Sequence, residues 1–130
     1  MRTWNLYFDD LRELEDWNEF RSAIGIELSK VVDEKQIQKI LANDKELKYI
    51  KIPESKCVRS SYPHHNMVSI KLGAEAVYPA FDEYVRSKED FDIYSQVPVS
   101  VERYDVNLGQ IEYFKWFDPE INKIMWSIMD

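Results

Sequence analysis

The chain has 130 residues, enough to bury one core without covalent staples. Its formal net charge is -7, from 17 basic and 24 acidic side chains, which disfavours the phosphate-led affinity of a nucleic-acid binder. Aromatics at 14%, hydrophobics at 45% and only three glycines exclude a disordered acidic chain, and one cysteine excludes a disulfide scaffold.

Trp4 to Phe8 is rich in aromatics and reads as a first strand. Asp9 or Asp10 can cap a helix start, and Leu11, Leu14, Trp17, Phe20 and Ile24 recur at helical steps, predicting a helix over 10–24 stopped by Gly25. Ile26 to Val32 fits a short strand or a helical turn equally well. Asp33 with Gln36 resembles a capping box, and Ile37, Ile40 and Leu41 give the next helix a narrow apolar face that ends at Asn43-Asp44. Leu47 to Ile52 reads as a strand stopped by Pro53, and 53–66 as the least regular stretch. Met67 to Leu72 alternates, with Val68, Ile70 and Leu72 on one side, and reads as a half-buried strand ended by Gly73. Val77, Phe81, Tyr84 and Val85 form a helical stripe with Pro79 placed in the first turn. Val97, Val99 and Val101 alternate again, and Asn107-Leu108-Gly109 makes a turn before a strand over Gln110–Phe117. The last segment reads either as a helix capped at Asp118-Pro119 or as a hairpin turning at Asn122. Aromatic cross-strand partners for Phe114 and Trp116 favour the hairpin.

This order predicts a single α+β domain over 1–130, a mostly antiparallel sheet with two to three helices packed on one face. A lone Cys57 suits a reduced, cytoplasmic setting. Met1 to Asp10 lacks the apolar stretch of a signal peptide, and no run approaches the roughly 20 apolar residues of a membrane span.

Charge is unevenly placed: residues 1–29 hold three basic and seven acidic side chains, 30–59 eight and five, and 75–130 five and twelve. The basic middle (Lys35, Lys39, Lys45, Lys48, Lys51, Lys56 and Arg59) is interrupted by acids and reads as a solvated face. His64 and His65, adjacent and without a spaced third ligand, read as loop residues, so no metal or cofactor is expected. Cys57 lacks an orienting partner or oxyanion motif for nucleophilic work. Asp9-Asp10 could hold a magnesium ion, but no phosphate-binding loop accompanies the pair, and helix capping explains it more simply.

The remaining signal is the interleaving of acids with large aromatics. Some of these rings, among them Phe81, Tyr84, Phe114 and Trp116, sit at periodic core positions. The candidate partner-binding residues are Asp82, Glu83, Asp90, Asp92, Tyr94, Glu102, Tyr104, Asp105, Glu112 and Tyr113, since carboxylates supply field and tyrosines supply contact area. In size, charge and aromatic content the chain resembles the small acidic proteins that neutralise basic nucleases, such as bacterial toxin-immunity proteins and phage-encoded inhibitors. That resemblance, one of class and not of motif, implies a non-enzymatic inhibitor docking on the basic cleft of a nuclease or toxin, with neither nucleic acid nor membrane as partner. The alternatives are a small enzyme using the 53–66 loop (Cys57, Tyr62, His64 and His65) and an assembly subunit; the sequence specifies no oligomeric state.

Overall fold

A computed structural model describes residues 2–10, 14–28, 33–87 and 99–130. Five strands, β1 (Arg2–Tyr7), β2 (Ser22–Ile26), β3 (Cys57–Pro63), β4 (Ser100–Asp105) and β5 (Gln110–Trp116), form one sheet in the order β2-β1-β4-β5-β3. Every neighbouring pair is antiparallel. The three helices are α1 (Glu34–Asn43), α2 (Met67–Arg86) and α3 (Pro119–Trp126). The α+β class is as the sequence implies, but α2 and α3 pack on opposite faces of the sheet instead of sharing one.

Alternation along the strands sorts the side chains. Leu6, Val101, Phe114 and Trp116 point to the face where α3 brings Ile121 and Met125, and Ile50 and Ile52 tuck against the same cluster. Ile111 and Tyr113 point the other way, where α2 brings Val77 and Phe81.

Local chemistry sets the elements. Asp33 caps α1 by accepting from the Lys35 amide at 3.0 Å, and Ile37 is the side chain that α1 buries. The β4–β5 turn closes where Gly109 adopts φ 60°, a left-handed geometry that suits glycine, while Asp105 accepts from the Asn107 amide.

At the C-terminal segment the helix prevails over the hairpin. Asp118 accepts from the Glu120 amide at 3.0 Å with Pro119 in the first turn. Asn122, far from being a turn residue, is buried: it accepts from the Val99 amide at 2.9 Å and donates to the Trp116 carbonyl at 2.7 Å. That side chain ties α3 to the end of β5 and to the residue that precedes β4.

Other expectations are corrected. Residues 14–24 are not helical beyond a 3-10 turn at Trp17–Glu19, and Ser22–Ile26, Gly25 included, belongs to β2; residues 11–13 lie outside the described set. Asp9 does not cap a helix: it binds Arg21 through the backbone amide and the guanidinium, closing the β1–β2 connection. Residues 47–56 form no strand, whereas the supposedly irregular stretch contains β3. Met67–Leu72 is the first turns of α2, so Gly73 and Pro79 are interior to that helix. Asn66 starts it by accepting from the Val68 amide at 2.9 Å, and Ser69 turns back to accept from the His65 amide. Val97 and residues 29–32 are outside the described set. Among the described residues no helix is long and apolar enough to cross a membrane.

Candidate functional site

The ten acids and tyrosines singled out from the sequence do not form one surface. Glu102, Tyr104 and Tyr113 lie on the α2 face of the sheet, while Asp105 and Glu112 lie on the α3 face. Glu102, Asp105, Glu112 and Tyr113 are buried, and Tyr104 is half-buried. Asp82 is half-buried and Glu83 exposed on α2; Asp90, Asp92 and Tyr94 fall outside the described residues. Side chains buried in the fold contribute their bonds to it, and leave little area for a partner.

Two of them organise opposite faces. Glu102, 4% exposed, shares a cross-strand row with Asn5 and Tyr113 on the α2 face. Tyr78, reaching down from α2, donates to its Oε1 at 2.7 Å. Tyr104 donates to Oε2, and Tyr7 donates to the same oxygen at 3.3 Å. Tyr113 brings a fourth phenol to the cluster, buried beneath Gly73 with no hydrogen-bond partner. Burial first, and then the Glu102 charge, push the Tyr78 and Tyr113 hydroxyls well above the usual phenol value. Tyr104 is raised by burial and by its hydrogen bond to Glu102, and Tyr7 by burial and the Glu102 charge. These phenols therefore stay protonated, and Tyr7, Tyr78 and Tyr104 serve as donors. His64 packs edge-on to Tyr104 at 5.8 Å.

Glu112, 1% exposed, is held differently. On the α3 face it accepts from Arg103 at 2.5 Å and from Arg59 at 2.8 Å. Arg103 also reaches Glu27 at 3.4 Å, and Arg2 joins Glu27 to Asp105 at 3.3 and 3.1 Å. The Arg103 guanidinium lies 4.9 Å from the centre of the Phe114 ring, which stacks with Trp116 and Trp4. Anions and cations alternate along this network, which leaves little net field to attract a ligand.

The third feature is at the surface. Trp17 is 72% exposed on the 3-10 turn between β1 and β2. Asp16 caps that turn by accepting from the Asn18 amide at 2.9 Å, and Glu15, Asp16 and Glu19, its neighbours in sequence, are all exposed. Three residues on, Phe20 stacks against Tyr7 at 5.5 Å, which places the turn beside the Glu102 cluster.

The nucleophile–base arrangement finds no support in this geometry. Cys57 begins β3 opposite Trp116, while His64 follows its far end, about 20 Å away at strand spacing. Burial also pushes the Cys57 thiol up, with Arg59 only partly opposing it. Among the described residues no three His, Cys, Asp or Glu side chains could hold a metal ion.

Sequence reasoning missed Tyr7, Tyr78, Arg103 and Trp17 as members of these clusters. The alternation of Asn5 and Tyr7 in β1 was a usable signal for the α2 face. Trp17 was hidden because it fits a helical stripe. No family model, no curated protein and no solved structure matched this chain.

Proposed function

We propose that the protein is a non-enzymatic binding domain that recognises a basic protein surface, acting as an inhibitor of a nuclease or toxin by covering its cationic cleft. The observation that carries this reading is Trp17, exposed on a self-capped turn whose neighbours in sequence, Glu15, Asp16 and Glu19, are exposed as well. An indole on a short capped turn has few side-chain torsions to lose on binding, and tryptophan is among the side chains enriched at interface anchors. The flanking carboxylates add an attractive field toward cations and speed encounter. The acidic and aromatic signature thus shifts from 82–113 to the β1–β2 connection.

The test begins with tagged protein recovered from its native cell under low- and high-salt washes, to identify the partner by mass spectrometry. Titrating that partner should then abolish its nuclease or toxic activity at one-to-one stoichiometry. Trp17→Ala should weaken binding by about 2 kcal/mol, roughly thirtyfold. Glu15→Gln with Glu19→Gln should slow association and flatten its salt dependence. Fast association indifferent to salt, or a Trp17→Ala variant of unchanged affinity, would sink the reading.

A further inference from the structure

The two edges of the sheet are finished differently. β3 follows Lys56, carries Arg59, is packed by α2 and ends at Pro63, which has no N–H to offer a further strand. β2, at the other border, is Ser-Ala-Ile-Gly-Ile, and among the described elements only β1 makes extensive contact with it. Half of its backbone groups face away from β1. The Phe8 amide donates to the Arg21 carbonyl and the Glu27 amide to the Arg2 carbonyl, both at 3.0 Å, which sets the phase of the ladder. Arg21, Ala23, Gly25 and Glu27 therefore turn their backbone groups to β1, while Ser22, Ile24 and Ile26 aim theirs outward. The side chains beside those outward groups are mostly apolar, and Ile24 is 79% exposed. We propose that β2 is the interface of a homodimer, pairing antiparallel with β2 of a second copy about a twofold axis at Ile24.

The strand is complementary to itself in that alignment. On the face that α2 leaves bare, Ile24 meets the partner's Ile24, Ser22 meets the partner's Ile26, and Phe20 meets the partner's Leu28. On the other face Arg21 meets the partner's Glu27, and the twofold makes that pair twice. Both side chains are exposed and already belong to ion pairs, Arg21 with Asp9 and Glu27 with Arg2, so charge would alternate in sign across the seam. Moving the axis to Gly25 would set Glu27 opposite Ala23 and lose both charge pairs, which selects the Ile24 alignment. An unrelated extended peptide would satisfy the backbone alone; the apolar row and the opposed signs fit a second copy. This interface does not depend on the basic partner proposed above.

The test begins with sedimentation velocity of the intact protein from about 10 µM to about 1 mM, which should show a monomer–dimer equilibrium. Because Ile24 is exposed, Ile24→Lys should leave the fold intact, set two like charges face to face on the axis, and weaken the dimer about tenfold or more. Crosslinking in a Cys57→Ser background reads the alignment. Ile24→Cys should form an intermolecular disulfide on mild oxidation, since opposed residues stand about 5.5 Å apart between Cα atoms. Ile26→Cys should not, its two copies being offset by about 14 Å. A monomer throughout the range, a dimer that Ile24→Lys leaves unchanged, or Ile26→Cys crosslinking as readily as Ile24→Cys would overturn the proposal.

Discussion

Glu112 carries a different weight for each of its two partners. The Arg103 side chain is 14% exposed and would lose its nearest anion if Glu112 were removed, whereas Arg59 is 59% exposed and screened by water. Glu112→Ala should therefore cost about 3 kcal/mol, the usual result of stranding a buried charge. Arg59→Ala should cost less than about 1 kcal/mol. Urea unfolding of both variants checks the contrast, and equal losses would contradict it. The tyrosines around Glu102 give a pH signature. Their folded pKa values lie above the ordinary 10.0, so their contribution to stability is complete below pH 10. Above it the unfolded chain releases protons that the folded protein retains, and stability falls as pH rises. A spectrophotometric titration should show three of the eight tyrosines, Tyr78, Tyr104 and Tyr113, ionising only as the protein unfolds. Eight ionising together near pH 10 in folded protein would contradict this.

At the scale of elements, α2 sits close to the sheet because Gly73 has no side chain. A Cβ there would collide with the Tyr113 hydroxyl and come within 3.2 Å of the Tyr62 ring. Alanine favours a helix over glycine by up to about 1 kcal/mol, but the buried phenol is rigid and cannot swing aside. Gly73→Ala should thus destabilise, by about 1–3 kcal/mol. Tyr113→Phe removes a buried hydroxyl that has no partner and should be neutral or stabilising. In the double variant most of the Gly73→Ala loss should disappear; additive losses in thermal unfolding would show that the clash is elsewhere. The same helix explains the limits of reading this sequence. Its middle was legible, since Val77 and Phe81 keep helical spacing and are buried. Its first turns were not, because Val68, Ile70 and Leu72 alternate like a strand although Val68 and Leu72 are exposed on a helix. Alternation over six residues also fits a helix that buries little there, and the Asn66 cap decides between them. In the opposite sense, Leu14, Trp17, Phe20 and Ile24 keep helical spacing but are placed by the Asp9–Arg21 contact and by pairing with β1. The Asp33 cap and the turn at Gly109 were readable, but the Asn66 cap was not, and neither were the contacts between distant residues that assemble both glutamate clusters.

The whole molecule is knit by distant pairing. Arg2 lies opposite Asp105, and β1 stands between β2 and β4, so the sheet's middle cannot form until nearly the whole chain is gathered. Loops of that length are slow to close productively, and refolding should take about a millisecond to a second. Stopped-flow fluorescence of the four tryptophans reads this directly, and complete refolding in microseconds would rule out β1–β4 pairing as the limiting event.

The two buried glutamates also govern which alignment that slow pairing can accept. Because neighbouring positions of a strand face opposite ways, sliding β5 by one residue against β4 would carry Glu112 beneath α2 beside Glu102. Two carboxylates would then share a pocket with no arginine, while Arg103 and Arg59 would face a phenol in place of their anion. A misaligned hairpin is penalised on both surfaces at once, so the charges work as a proofreading key that only one pairing of β4 and β5 can turn.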